Sequence, residues 1–203
     1  MNMKPFQLKA IIDQAQDGDE HSLGQIYDEF FSRIVGYAFR RVLDAEVAQD
    51  ITANVFLKVL LNLPRFQWRH DQSFNGWIFR IASNEVNSYF RNQQKYRFLA
   101  PEDAENVLKN WTLDEDNRAK IEAELDSNQQ FMMLHKAVRR LRPKHQEIIH
   151  LYYFEHLPHR AVAEAMDMRE GAVRTAMHRA QKELKQTLTT DPEFKAYFEG
   201  AIL

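Results

Sequence analysis

Cysteine is absent from this sequence of 203 residues, and glycine and proline occur only six times each. Without cysteine the chain has no disulfide, thiolate metal site or cysteine nucleophile, and its composition is compatible with a reducing cytosol. Long apolar runs are also lacking, and residues 1–8 do not show the basic-then-apolar order of a signal peptide. We therefore expect a cytoplasmic protein without membrane insertion.

The net charge is only −2, yet the charges are unevenly distributed along the chain. Residues 65–100 carry six basic and two acidic side chains, and residues 135–188 carry eleven basic and six acidic ones. Residues 101–134, between them, carry three basic and nine acidic side chains. A single basic block is simply explained as a solvated helix face, but two separate blocks favour contact with nucleic-acid phosphates.

Apolar residues recur every three or four positions along most of the chain, which predicts an all-α fold. Two helices, each with one apolar stripe, are expected before Pro64. A third helix is expected from about Asn75 to Lys95, and its buried residues are expected to be Trp77, Ile81, Ala82, Val86, Tyr89 and Phe90. We predict two small helical domains joined by an acidic linker. The expected division is residues 1–97 for the first domain, 98–130 for the linker, 131–190 for the second domain and 191–203 for a tail.

The segment that follows Pro158 has the spacing of a helix-turn-helix motif. Small Ala163 is expected where the two helices cross, Asp167 at the turn, and Val173 on the buried side of the second helix. Aspartate replaces the usual turn glycine, and it is among the few residues that tolerate a left-handed backbone. The opposite, basic side of the second helix suits duplex DNA, and its candidate contacts are Arg174, Thr175, His178, Arg179 and Lys182.

Residues 66–98 interleave aromatic side chains with basic and amide ones, a pattern that suits single-stranded DNA. Trp77, Tyr89 and Phe90 are expected in the core, whereas the two aromatic residues of the preceding loop are expected to be more accessible to unpaired bases. Polar residues also repeat at helical spacing on the side opposite the predicted core. The candidate contacts to unpaired DNA are Phe66, Trp68, Arg80, Asn84, Asn87 and Arg91.

The Trp-Ile-Phe-Arg-Ile-Ala-Ser-Asn sequence from Trp77 to Asn84 resembles region 2 of the extracytoplasmic-function (ECF) group of the sigma-70 family. The helix that begins after Asp44 is similar to the family's polymerase-binding helix, and the segment from Leu141 to Ala180 is similar to its region 4. The resemblance covers about residues 20–97 and 130–188, in the family's order.

This resemblance implies a sigma factor that binds core RNA polymerase through its β′ clamp helices and β flap, recognises promoter DNA at the −35 and −10 elements, and melts the −10 element. The first domain would bind polymerase through Asp50, Asn54 and Lys58 and hold the open −10 strand, where a flipped base is captured. The second would read the −35 element. An anti-sigma factor is a further partner that the resemblance suggests.

The sequence departs from the family pattern at two places. Ala53 and Asn54 stand where the polymerase-binding helix usually carries a Gln-Glu pair. Ala172 and Ala176 replace the usual threonine and arginine of the recognition helix, which predicts a different −35 preference.

Two other functions are compatible with parts of the chain. A free-standing helix-turn-helix repressor or activator would use the first domain to dimerise or to sense a ligand. A metal hydrolase would use histidine pairs such as His156 with His159 or His145 with His150, although neither pair has the His-Glu-x-x-His context. We expect no catalytic residue, no metal and no cofactor.

Overall fold

The computed structural model describes residues 3–96 and 129–195, and every regular element within these ranges is helical. The predicted all-α fold is therefore confirmed. Most of the predicted linker and the last residues of the tail lie outside the described residues. The helices are α1 (Pro5–Gln16), α2 (Glu20–Val42), α3 (Ala45–Asn62) and α4 (Ser73–Tyr96) in an N-terminal unit, and α5 (Gln129–Arg139), α6 (Pro143–Ile149), α7 (His159–Ala165) and α8 (Glu170–Thr190) in a C-terminal unit.

Two short turns extend these helices. A 3-10 turn, Leu63–Arg65, follows α3, and a π-helical turn, His150–Phe154, follows α6. Over residues 3–96 and 129–195, no helix combines the length and the apolar character needed to span a bilayer.

Local sequence explains where several helices begin and end. The Asp19 carboxylate accepts a hydrogen bond from the Ser22 backbone N–H at 2.8 Å, and the Asp44 carboxylate caps α3 in the same way. Such caps satisfy backbone donors that have no partner inside the helix. Pro143 occupies the first turn of α6, where the missing N–H costs no helical hydrogen bond.

The core of the N-terminal unit is formed where α2, α3 and α4 meet. The Phe30 and Phe74 rings pack edge to face with centroids 5.3 Å apart, and Tyr37 and Phe79 do so at 5.6 Å. One predicted core residue is placed differently: Phe90 is 37% exposed, because the buried positions of α4 end at Val86. The rest of the α4 apolar stripe is buried or half-buried, as expected.

The C-terminal unit contains the predicted helix-turn-helix in α7 and α8. Asp167, at the turn, has a φ of 52°, so the left-handed backbone expected there is present. Ala163 and Val173 are buried on either side of it. This geometry confirms the motif that the spacing predicted.

The beginning of the tail packs onto the C-terminal unit. Phe194 is fully buried, and the Arg140 guanidinium lies 4.9 Å from the centroid of its ring. Asp191 forms an ion pair with Arg140, and Glu193 pairs with both Arg140 and Lys136. The C-terminal unit therefore extends beyond residue 190.

The two units are packed against each other, with α7 lying along α4. At the crossing, a Cβ added to Gly76 would stand 2.8 Å from the Cβ of Glu164 and 3.2 Å from the carbonyl oxygen of Ala161. Such distances are shorter than ordinary van der Waals contact, so this close approach requires glycine on α4.

Candidate nucleic-acid and polymerase interfaces

The second helix of the helix-turn-helix presents a polar, basic face to solvent. Its buried positions are Val173, Met177 and Ala180. The Arg174 guanidinium donates a hydrogen bond to Glu170 at 2.6 Å, and the arginine side chain remains 66% exposed. All five predicted duplex contacts are exposed on this face, namely Arg174, Thr175, His178, Arg179 and Lys182.

The polar residues of α4 form one continuous stripe along the helix. Arg80, Asn84, Asn87 and Arg91 follow one another at intervals of four, three and four residues, which places them on one side. Arg80, Asn84 and Arg91 are exposed and Asn87 is half-buried. We call these four residues the α4 stripe.

Phe66 is less accessible than its position before α4 suggested. Its ring packs edge-on against Phe74 at 5.3 Å and lies 5.0 Å from the ring of Trp77. Its carbonyl oxygen accepts a hydrogen bond from the Gln16 side chain at 2.7 Å. The 3-10 turn that contains Pro64 directs the chain back onto the core, and Phe66 is half-buried there, so its contact with DNA stays a prediction.

Trp68 lies in the loop between that turn and α4 and is half-buried against the core. Ser73 anchors the end of the loop, because its hydroxyl donates to the His70 carbonyl at 2.7 Å and accepts from the Arg69 N–H at 3.2 Å. Trp68 therefore keeps a partly accessible ring on an ordered loop.

One side of α3 carries three exposed polar residues, Asp50, Asn54 and Lys58, where polymerase contact was predicted. Lys58 forms an ion pair with Glu85 of α4. The same helix also exposes Leu57 by 54%, Leu60 by 50% and Leu61 by 69%. We call these the α3 leucines.

The α3 leucines were not among the residues predicted from the sequence, although a signal for them was present. Leu57 and Leu61 follow Asn54 by three and seven positions and so lie on the side of α3 assigned to polar contacts. Three large apolar side chains exposed together are typical of a surface that binds another protein.

Three of the four histidines proposed as metal ligands are engaged elsewhere. His145 pairs with Glu183, His159 packs on Tyr152 with centroids 4.8 Å apart, and His150 is buried beside His135. Throughout the part of the chain that the structure describes, no three histidine, aspartate or glutamate side chains are grouped so that they could hold a metal ion.

The boundary between the two units contains buried charges. Glu155 of the C-terminal unit lies between Arg33 and Arg40 of α2, 3.6 Å from Arg33 Nε and in a shorter contact with Arg40. Burial raises the pKa of Glu155, and the two guanidinium groups oppose that rise. Burial also raises the pKa of Glu147, which accepts a hydrogen bond from Ser83 of α4.

Comparison with known families settles what these two units are. Residues 26–96 match the model of sigma-70 region 2, and residues 131–184 match that of sigma-70 region 4. The chain belongs to the sigma-70 family. It is an ECF sigma factor, which takes core RNA polymerase to promoter DNA and initiates transcription.

Individual relatives agree with this assignment. The sigma factor is 28% identical over 172 residues to RNA polymerase sigma factor YlaC of Bacillus subtilis, covering 85% of this chain and 95% of that protein. It is 29% identical over 181 residues to ECF RNA polymerase sigma factor BldN of Streptomyces coelicolor, covering 89% of this chain and 66% of that protein.

Among solved structures, the sigma factor RpoE of Bartonella quintana, in complex with the anti-sigma factor NepR, has the same fold. The TM-score is 0.59 at 18% identity, and the alignment covers 83% of this chain and 97% of that one. The region 2 match also argues against a repressor whose first domain serves only to dimerise or to sense a ligand.

Proposed function

We propose that the two units divide promoter recognition between them, with residues 1–97 acting on the −10 element and residues 131–190 on the −35 element. The observation that carries this proposal is the presence of two separate polar surfaces, the α4 stripe and the basic face of α8, on units that match different sigma regions. The α4 stripe offers charge and hydrogen bonds to single-stranded DNA, and the basic face of α8 offers charge and arginine donors to duplex DNA.

For the −35 element, α8 enters the major groove with its basic face toward the bases. Arg174 and Arg179 are the residues able to donate bidentately to guanine, whereas Lys182 supplies charge toward phosphate. Thr175 and His178 lie between them and complete the contact surface. The ion pair of Arg174 with Glu170 orients the arginine at the start of the helix before DNA binds.

For the −10 element, the α4 stripe and Trp68 bind the unpaired non-template strand. Arginine and asparagine side chains supply hydrogen bonds and charge, and the partly exposed Trp68 ring supplies a surface for base stacking. Phe66 contributes by supporting Trp77 and Phe74 from the core side, since its ring is packed against both. Capture of the open strand offsets the cost of unpairing.

For polymerase, the surface of α3 contacts the β′ clamp helices through Asp50, Asn54 and Lys58 together with the α3 leucines. A mixed apolar and polar surface is the composition expected of a protein interface whose centre is apolar and whose rim is charged. The C-terminal unit would bind the β flap. These contacts bring both DNA-binding units to one promoter.

We also propose that the protein works in the cytoplasm and acts through binding, with no covalent chemistry of its own. An anti-sigma factor is a proposed partner because the solved complex of RpoE with NepR shows a protein of the same fold bound in that way. The expected consequence is that such a partner would keep one or both DNA-binding surfaces from promoter DNA.

Run-off transcription with core polymerase on a library of promoter sequences tests the proposed function. Transcripts should appear only when the factor is added, and the selected templates should share two sequence elements. Replacement of Arg174 and Arg179 by alanine should relax selection at the upstream element, and replacement of Asn84 at the downstream one. If the base sequences selected at both elements are the same for all variants, the proposed assignment of one element to each unit is contradicted.

A further inference from the structure

The side chain of Gln16, the last residue of α1, reaches the loop that precedes α4. Its Nε2 amide donates hydrogen bonds to the carbonyl oxygen of Leu63 at 2.8 Å and to that of Phe66 at 2.7 Å. These contacts join residues that are 47 and 50 positions apart in the sequence. A primary amide has two N–H donors, so Gln16 can make both bonds at once. We call residues 66–72, which connect the 3-10 turn to α4, the aromatic loop.

The two carbonyl groups that accept these bonds lie at the start of the 3-10 turn and directly after it. Carbonyl groups at the end of a helix have no partner inside that helix. The Leu63 oxygen also accepts a hydrogen bond from the Phe66 backbone N–H at 2.9 Å, and the Gln16 amide joins the same two residues. Gln16 therefore fixes the direction in which the chain leaves α3 and enters the aromatic loop.

Gln16 is itself held in place, because α1 is packed against α2. Ile12 of α1 is fully buried, and the Gln14 side-chain oxygen accepts a hydrogen bond from the Ser22 hydroxyl at 3.0 Å. Helix α1 lies before the segment that matches sigma-70 region 2, which begins at residue 26. An element outside the matched region thus supplies an anchor for a loop inside it.

The other end of the aromatic loop is anchored by α4. The Ser73 hydroxyl donates to the His70 carbonyl at 2.7 Å and accepts from the Arg69 N–H at 3.2 Å. Trp68 lies between this anchor and the one at Gln16, and its side chain is half-buried. The position of the Trp68 ring therefore depends on the anchors at both ends of the loop.

We propose that Gln16 is a positioning residue for promoter opening, which holds the aromatic loop so that the Trp68 ring is placed to stack on an unpaired base. The inference rests on the proposed role of Trp68 in binding the open −10 strand. A loop that is already ordered binds more tightly, because no conformational freedom is lost when the base arrives. Gln16 acts through the loop and does not touch DNA.

Three substitutions on α1 test this role. Gln16→Met removes both donors but keeps an unbranched side chain, and Gln16→Lys is the conservative variant because it retains N–H donors. Methionine, lysine and glutamine have similar helix propensities, so α1 should remain helical in each variant. Gln14→Met is the matched control, because it makes the same change on the same helix but removes a contact to α2 instead of the loop.

Each full-length variant is combined with core polymerase and compared on a duplex promoter that the factor transcribes and on the same promoter with a pre-melted −10 element. On the duplex, Gln16→Met should lower permanganate reactivity of −10 thymines about fivefold to tenfold, since two hydrogen bonds no longer hold the competent loop conformation. Transcription from the pre-melted template should equal that of the parent, because strand capture no longer has to offset unpairing. Gln16→Lys and Gln14→Met should open the duplex to within about twofold of the parent.

Equal opening of the duplex by the parent, Gln16→Met and Gln14→Met proteins would overturn the proposal. A defect of Gln16→Met that persists on the pre-melted template would also overturn it, because folding or polymerase binding would then be impaired. An equal defect in Gln16→Lys would show that the donated hydrogen bonds are not what matters.

Trp68→Ala separates failure of this proposal from failure of the proposed function. If Trp68→Ala opens the duplex as well as the parent does, the assignment of the aromatic loop to the −10 strand is wrong. If Trp68→Ala is defective and Gln16→Met is not, the loop binds the strand but Gln16 does not position it.

Discussion

The imidazole rings of His135 and His150, both on the C-terminal unit, lie together with centroids 5.1 Å apart, and each residue is at most 5% exposed. Burial lowers the pKa of His135 from its ordinary value of 6.5 to about 4, and the charges of Arg40 and Arg139 act in the same direction. Burial likewise holds the pKa of His150 well below its ordinary value, aided by His135, Arg41 and Arg40. Both rings are therefore neutral in the folded protein at neutral pH.

This pair predicts a loss of stability in acid. Between pH 6.5 and about 4 the unfolded chain binds protons at these histidines and the folded chain does not, so the free energy of unfolding falls as the pH falls through this range. The His135 shift alone corresponds to at most about 3 to 4 kcal/mol, at about 1.4 kcal/mol per pKa unit.

Urea unfolding of the parent and of a His135→Phe/His150→Phe variant, from pH 7 to 4, measures this contribution. The raised pKa values of Glu147 and Glu155 act in the opposite sense, and the comparison cancels them because both proteins retain these groups. Parallel pH profiles of the two proteins would show that the histidines do not contribute.

The buried position of Phe194 predicts that the tail stabilises the C-terminal unit. Phe194→Ala should lower the free energy of unfolding by about 3 to 5 kcal/mol, because it leaves a cavity beneath Arg140. Phe6→Ala removes the same atoms from a residue that is 68% exposed and should change stability by less than about 0.5 kcal/mol. Thermal denaturation of both variants checks the difference, which should vanish if the tail contact is dispensable.

Recognition of the −35 element should depend on the arginines of α8. Arg174→Ala and Arg179→Ala should each weaken binding to promoter duplex by about 1 to 3 kcal/mol and relax selection among bases. Lys185→Ala, farther along the helix, should act only through a smaller dependence of affinity on salt. Fluorescence anisotropy at several salt concentrations distinguishes the two effects, and unaltered affinity in both arginine variants would remove α8 as the recognition helix.

Polymerase binding should depend on the exposed side of α3. Asp50→Lys and Leu61→Ala should both reduce capture of core polymerase while leaving the unfolding transition unchanged, because both residues are exposed. Asp17→Lys, an exposed charge reversal outside the region 2 match, is the control and should bind normally. Normal capture by a folded Asp50→Lys protein would count against this surface.

Strand opening should depend on Trp68 and the α4 stripe. Trp68→Ala combined with Asn84→Ala should leave closed-complex formation nearly intact but reduce permanganate reactivity of thymines in the −10 element. Loss of stacking is worth about 1 to 3 kcal/mol per base, enough to shift a balanced melting equilibrium tenfold or more. A pre-melted template should restore transcription, and full melting by the double variant would show that the loop is only structural.

The features of this sigma factor that could be predicted from its sequence are those that arise from local periodicity. The three-and-four spacing of apolar residues decides which segments are helical and which side of each is buried, as on α8 from Val173 to Ala180. The left-handed turn at Asp167 and the exposed basic face opposite the core follow from the same short-range rules. Both matched regions could be recognised for this reason.

Contacts between side chains that are distant in the sequence could not be predicted and depend on the three-dimensional arrangement of the helices. Arg33 and Glu155 are separated by 122 positions, and no local pattern brings them together. Phe66 is half-buried because a turn directs it onto Phe74, and Gly76 is required because α7 crosses α4 there. These contacts depend on how helices are arranged in space, since helical periodicity specifies which face is apolar but not which partner covers it.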